Sequence, residues 1–410
     1  MASVSQTLFN RLDQCPQLAA RIWLRKSPLK TKLKMEPLSL KAVVTMTAMF
    51  GGFVSSYGVM VPFFVKKFEI SIATVSSLFA IAGFGAIAGV LTSTFLVDKI
   101  PAKFAGSLGT LGIAIGVLII SLASDWNLTL QALWLIGFSN SFTQVAISQY
   151  LTSVGGVRAS RRITFNNTAF ALGSIVFPLL IGSIINNYFD LFLYSFAIVI
   201  VIVGFTYFRN VSGYLTHIPN PNRNTREWVT ILFILLGLTT YVGTEISATG
   251  WIPTLLEDQG YSTSAASLGT TIYFIFLFLG RLIFIRFIHR VNLRRLTLQS
   301  SYSMLPALLI FQLMEFKYLG IALLGLTSAV VFPTGMSWII RLVPGNAKIV
   351  GIIFTFSVTG GLVFPSLAGL AIAKFGSQYT PLILMVPATA SILFFTLAVR
   401  NSREKYLTKV

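Results

Sequence analysis

The sequence predicts an all-α polytopic membrane protein, with twelve transmembrane helices in two pseudo-symmetric six-helix halves. Three observations predict it. First, the 410 residues are 55% hydrophobic and only 10% charged, with a mean hydropathy of +0.79; no soluble domain of this length tolerates that composition. Second, apolar stretches of bilayer-spanning length, about 20 residues, recur along the chain. Third, the second half repeats residues of the first at matching offsets. In a soluble protein the net charge of +19 would point to nucleic acid; here its placement along the chain is what carries meaning, and no nucleic-acid partner is expected. A single cysteine, Cys15, excludes an intramolecular disulfide, and with only two histidines the chain offers no structural zinc set.

Taken in order, residues 1–40 form a basic tail with no apolar core of signal-peptide type. Leu8, Phe9, Leu12, Leu18, Ile22 and Trp23 suit an interfacial helix with Arg21, Arg25 and Lys26 at the headgroups. An Arg-rich, acid-poor amino terminus also suits an organelle transit peptide. Twelve apolar spans follow, near 42–64, 73–97, 104–123, 128–152, 164–187, 190–208, 229–256, 265–288, 296–314, 318–340, 348–374 and 380–399. They are helices, because open-edged sheets cannot cross lipid. The longest polar break, 209–228, contains Tyr214, Pro219, Asn220, Pro221 and Asn222 and reads as a linker. The expected organisation is therefore a tail (1–40), an amino-terminal bundle (41–208), a linker (209–228), a carboxy-terminal bundle (229–400) and a short tail (401–410).

Topology follows from the basic residues. With alternating sides, 27 Lys and Arg fall on the side of the termini, and only Lys66, Lys67, Lys317 and Lys374 fall on the other. The positive-inside rule then places both termini in the cytoplasm, with a bacterial inner (plasma) membrane as the expected location.

The repeat is the most specific signal. Gly173-Ser174-Ile175-Val176-Phe177-Pro178-Leu179-Leu180-Ile181-Gly182 in span 5 recurs in span 11 as Gly360-Gly361-Leu362-Val363-Phe364-Pro365-Ser366-Leu367-Ala368-Gly369. Pro62, Ser71 and Gly89 across spans 1 and 2 have the same spacing as Pro253, Ser262 and Gly280 across spans 7 and 8. Parallel repeats of this kind build one large transporter class, with substrate near the midplane between the halves.

From about Leu40 onward, the duplicated bundle, the central loop and the Gly/Pro pattern resemble the major facilitator superfamily. The second half resembles the fucose-permease type of sugar:proton symporter through Tyr241-Val242-Gly243 with Trp251, Gly280-Arg281, Phe332-Pro333-Thr334, and Gly360-Gly361 with Pro365. The resemblance implies alternating access to a small-molecule substrate, with a proton, or sodium, as the coupling ion. It also implies a substrate-binding amide at Asn167. The chain departs from the pattern in places. The loop after span 2 keeps Asp98-Lys99 but has Thr94 for the first glycine and Pro101-Ala102-Lys103 for the rest. Asp98 can still cap a helix end and latch the halves, a gating role. The permease's acidic positions in its first and fourth helices align with Gly58 and Gln144, so neither carboxylate carries over. Span 5 also resembles part of the antiporter signature G-x-x-x-G-P-x-x-G-G: Gly173, Pro178 and Gly182 match, while Phe177 and Ile181 replace glycines. Gly173, Pro178, Gly182, Gly360, Gly361 and Pro365 are read as close-packing and kink positions, since small residues admit a neighbouring backbone and proline removes a helical bond.

Of the twelve acidic residues only Glu245 falls in the middle of a span. A charge there costs at least ~2.5–3.5 kcal/mol on insertion scales. Such a group is neutral, paired or exposed to water, and Glu245 is the candidate for proton coupling. Tyr241, Glu245 and Thr249 share a face of span 7 at i, i+4, i+8. Gln144 and Ser148 share one of span 4, with Gln149 beside it. Asn166 and Asn167 open span 5, where Asn166 also suits a helix cap. Tyr57 and Trp338 are aromatic candidates for stacking on a solute, or for core packing. Arg281 lies toward the cytoplasmic end of span 8; it either snorkels or serves as a gate. The substrate-binding candidates are thus Tyr57, Gln144, Ser148, Asn167, Tyr241, Thr249 and Trp338. The scarcity of fixed positive charge at midspan argues against a dianionic solute.

No phosphate-binding G-x-x-x-x-G-K-S/T loop and no H-E-x-x-H motif occurs, which argues against an ATP-driven pump and a zinc protease. No enzyme activity, cofactor or metal is expected. The favoured function is uptake of a small, polar, neutral solute such as a sugar together with protons. The alternatives are proton-antiporting export of an amphipathic compound and a non-transporting receptor or scaffold of the same fold.

Overall fold

A computed structural model describes residues 37–96, 99–155, 159–211, 227–287, 292–343 and 348–402. These residues are almost wholly helical, and their helices make twelve crossings. Residues 1–36 of the amino tail, most of the linker and Asp98 lie outside the described residues; the last four tail residues belong to the first helix.

Span 1 is a broken pair, Pro37–Ser55 and Tyr57–Phe68, bent by 46°. The break falls at Ser56, whose hydroxyl turns back to donate to the Gly52 carbonyl at 2.8 Å. Span 2 combines Ile72–Val75 with Ser77–Leu96, followed by spans 3 (Ala102–Leu122) and 4 (Trp126–Gly155). Spans 5 and 6 run together as Ala159–Asn210, interrupted by non-helical backbone at Tyr188 (φ −131°, ψ 23°). The 46 residues from Phe165 to Asn210 would reach about 70 Å at ~1.5 Å per residue, over twice a ~30 Å hydrocarbon core. They therefore make two crossings that meet at Tyr188. The second half has span 7 (Trp228–Asp258), span 8 (Thr263–Phe287) and span 9 (Leu293–Gln312). Span 10 is broken into Lys317–Ser328 and Val331–Leu342, and spans 11 (Lys348–Phe375) and 12 (Thr380–Asn401) complete the bundle. Large apolar side chains such as Phe95 (75% exposed), Leu122 (70%) and Val386 (68%) cover the outer faces. A continuous apolar exterior of this extent belongs in lipid.

The sequence repeat corresponds to repeated contacts. Ser71 accepts a hydrogen bond from the Thr74 N–H at 3.0 Å at the start of span 2, and Ser262 does the same for Ala265 at 3.3 Å at the start of span 8. A Cβ on Gly173 in span 5 would meet the Ala48 carbonyl of span 1, and one on Gly360 in span 11 would meet the Thr239 carbonyl of span 7. The same matching holds for Gly52 against Phe177 and Gly243 against Phe364. Gly89 against Phe138 and Gly280 against Ala329 tie span 2 to span 4 and span 8 to span 10. Close backbone approach requires glycine at these crossings, because lipid supplies no hydrophobic force to hold a looser interface.

The halves meet along spans 2 and 11, 5 and 8, and 1 and 7. Gly58 sits on the Thr249 carbonyl and the Gly250 Cα. Gly250 packs on the ring of Phe79, which itself lies 5.7 Å from Trp251. The Trp251 indole N–H donates to the Pro365 carbonyl at 2.9 Å. Gly182 abuts Ser267, and the Thr271 hydroxyl donates to the Ile175 carbonyl at 3.4 Å. At the same end Lys66 pairs with Glu257 at 3.2 Å, the only ion pair among the described residues.

Candidate functional site

Away from that closed end, the halves part around a cavity of about 1140 Å³ walled by spans 1, 2, 4, 5, 7, 8, 10 and 11. Its wall reaches Leu40, Phe165, Phe284 and Phe354, each within two turns of a helix end on the side where span 1 begins. The cavity therefore extends toward one face of the bundle, while glycine crossings and an ion pair shut the other.

Most of the expected residues lie on this wall. Tyr57, Gln144, Ser148, Asn167, Glu245, Thr249 and Arg281 line it, together with Gly361. Tyr57 is buried with its ring edge-on to Phe53, and its hydroxyl has no partner among the described residues. Asn166 does not cap the helix, since it lies inside Ala159–Asn210; the Thr47 hydroxyl donates to its side-chain oxygen at 2.8 Å, tying span 5 to span 1. Gly173, Gly182 and Gly360 stand at close crossings, and Pro178 and Pro365 lie inside their helices. Asp98 falls outside the described residues.

Two expected wall residues are elsewhere. Trp338 is fully buried and absent from the cavity wall, and its indole N–H has no partner among the described residues. The cavity side of that helix is Phe332, Pro333 and Ser337; one further residue turns the side chain by about 100°, into the core. Tyr241 is also fully buried, one turn behind Glu245. Its hydroxyl lies 2.6 Å from Glu245 Oε2 and 2.7 Å from the Ser328 carbonyl oxygen.

Ser328 ends the first piece of span 10. Beyond it, Pro333 lacks the N–H that would bond the Ala329 carbonyl in a continuous helix. Arg281 fills that gap, donating from Nε to the Ala329 oxygen at 3.4 Å. Its head thus turns into the bundle instead of snorkelling to an interface. The break in span 10 presents two carbonyls, one held by Tyr241 and the other by Arg281, with Glu245 beside them.

Asn140 was missed from sequence. It lines the cavity and its side-chain oxygen is buried without a described partner. Its spacing from Gln144 and Ser148 (i, i+4, i+8) was the available signal. Seven phenylalanines share the wall, among them Phe79, Phe170 and Phe274, so most of the surface is apolar.

The family model of the Major Facilitator Superfamily matches residues 43–317 and again 233–409. The chain belongs to this superfamily. The second match starts within span 7, where the internal repeat also restarts. Among solved structures, the chain is similar to a bacterial homolog of the human lysosomal transporter Spinster, solved in an inward-facing and occupied conformation. That match has 14% identity and a TM-score of 0.71, over 88% of this chain and 96% of that one. It is also similar to the human organic anion transporter MFSD10 (TETRAN), at 14% identity and a TM-score of 0.64, over 91% and 100%. A third similar structure is the nucleoside transporter NupG, solved as a point mutant, at 12% identity and a TM-score of 0.70, over 88% and 99%. At these identities the likeness shows the fold. No curated protein matches the sequence. Membership makes this chain an integral membrane protein of a transporter family whose members bind small-molecule substrates.

Proposed function

We propose that this chain is a secondary transporter that moves a small organic solute through the central cavity by alternating access, with Glu245 as its proton carrier. The observation that carries this reading is a cavity closed at one end and placed between the halves, with the one midspan carboxylate in its wall. Rocking the halves would break the Lys66–Glu257 end and close the other, passing the cavity from one face to the other. The basic-residue bias supports a cytoplasmic location for the open face, for both termini and for the 209–228 linker. The departures at Gly58 and Gln144 leave the coupling role to Glu245. The likeness of the second half to the fucose-permease type supports a sugar-like solute. The phenylalanines of the wall favour a solute with an apolar face, which also suits export of an amphipathic compound.

The test is flux. Purified protein in liposomes, given an inwardly directed proton gradient (acid outside) and a panel of labelled solutes, should accumulate at least one solute above its equilibrium level. Accumulation should collapse when a protonophore removes the gradient. A receptor or scaffold would show no solute-dependent flux under any gradient.

A further inference from the structure

The hydrogens around Tyr241 can be counted. A tyrosine hydroxyl has one hydrogen, yet Tyr241 Oη lies within 2.7 Å of two acceptors, Glu245 Oε2 and the Ser328 carbonyl. The carbonyl only accepts. All three groups are satisfied when Glu245 holds its proton and shares it with Tyr241 Oη, and Tyr241 donates to Ser328. With an ionised Glu245, one hydrogen would have to serve both contacts.

The charged and titratable groups around Glu245 are few. Tyr241 comes from its own span; Tyr273 of span 8 is near enough to interact with it electrostatically, and Arg281 of the same span acts on Tyr241 and Tyr273. Among the described residues, Glu245 and Arg281 are the only acid and base on the cavity wall, and they form no ion pair. With Glu245 neutral, the wall has one unbalanced positive charge. Arg281 offers five N–H donors, and Nε alone has a described acceptor, the Ala329 carbonyl. A cation facing a largely apolar cavity is costly without a counter-charge, and a guanidinium fork fits a carboxylate with two parallel bonds.

We propose that the solute is an organic monocarboxylate with an apolar body, whose anionic group binds Arg281 and which crosses with the proton on Glu245. This rests on the reading of the cavity as the transport site and Glu245 as the proton carrier. One anion and one proton move together, so a cycle transfers no net charge. A single cation and a neutral acid leave no partner for a second negative charge, which excludes dianions. The phenylalanines receive the apolar body.

The experiment uses the full-length protein and matched pairs of probes: benzoate, phenylpropionate, octanoate and glucuronate, each beside its uncharged primary amide. Binding is read by intrinsic fluorescence in detergent, and flux of labelled acid is read in liposomes. At least one acid is expected to bind about tenfold or more tightly than its amide. That preference should vanish in Arg281→Gln and persist in part in Arg281→Lys. A size-exclusion profile and melting transition like those of wild type show that the variants are folded. Uptake of the acid should not respond to a potassium–valinomycin potential. The proposal is overturned if no acid outbinds its amide, if the preference survives in Arg281→Gln, or if uptake follows the potential. Proton-driven accumulation of an amide would overturn this proposal yet leave the transporter reading standing; absence of any proton-driven flux would remove both.

Discussion

The close crossings at Gly173 and Gly360 allow a paired prediction. At each, a Cβ would run into a backbone carbonyl, Ala48 in one half and Thr239 in the other. A carbonyl held in a helix cannot rotate away, so alanine must push span 5 from span 1, or span 11 from span 7. Forcing one extra carbon into a packed interface costs about 1–3 kcal/mol. Gly351 is the control, since the nearest atoms its Cβ would meet all belong to the Thr94 side chain, at 3.0 Å or more, and no backbone stands in the way; Gly351→Ala should change stability by less than about 0.5 kcal/mol. Thermal unfolding of the detergent-solubilised protein, followed by size-exclusion chromatography after graded heating, measures all three. Gly173→Ala and Gly360→Ala should each melt clearly below wild type and by similar amounts, and the leucine variants should also lose transport. If both alanine variants melt with the Gly351→Ala control, the repeat does not mark equivalent packing points and the argument from symmetry is wrong.

Three other outcomes are expected. Lys66→Ala removes an ion pair whose lysine is 72% exposed, a contact worth at most about 1 kcal/mol. It should shift the balance toward opening at that end by no more than about fivefold, measured as a spin-label distance distribution between Lys67→Cys and Asp258→Cys in a Cys15→Ser background. Tyr241→Phe leaves the Ser328 carbonyl and Glu245 without their shared partner, so it should lower stability by about 1–3 kcal/mol and impair pH-driven uptake more than exchange. Trp338→Phe should leave solute affinity unchanged, because the indole is outside the cavity wall; a large loss of affinity with normal melting would return Trp338 to the site.

The number of crossings was legible because each must bury about 20 apolar residues, and the repeat was legible because equivalent crossings demand glycine at equivalent places. Glu245 stood out because a midspan carboxylate is costly, and no further information was needed to single it out. The helix breaks were less visible. Span 10 reads as one apolar stretch, and the consequence of Pro333 for the Ala329 carbonyl appears only once Arg281 is seen to occupy it. Span 1 breaks at Ser56, which carries no helix-breaking signal of its own. Trp338 failed for a geometric reason: an error of one residue in helical phase turns a side chain from cavity to core. Asn140 was legible in principle, since it extends the face of Gln144 and Ser148 by one turn. Asn166 and Asn167 are adjacent with opposite environments, one bonded to Thr47 and the other on the wall, and only packing separates them.

The most direct test of the account is Glu245→Gln, assayed for exchange and for pH-driven accumulation in the same liposomes. Glutamine keeps the size of the neutral acid and still offers a donor to Tyr241, so the fold and exchange between two solute pools should survive. Accumulation driven by a pH gradient should be abolished, because the carrier can no longer release its proton. Accumulation equal to wild type, with the same dependence on pH, would make Glu245 a structural residue and place the coupling elsewhere.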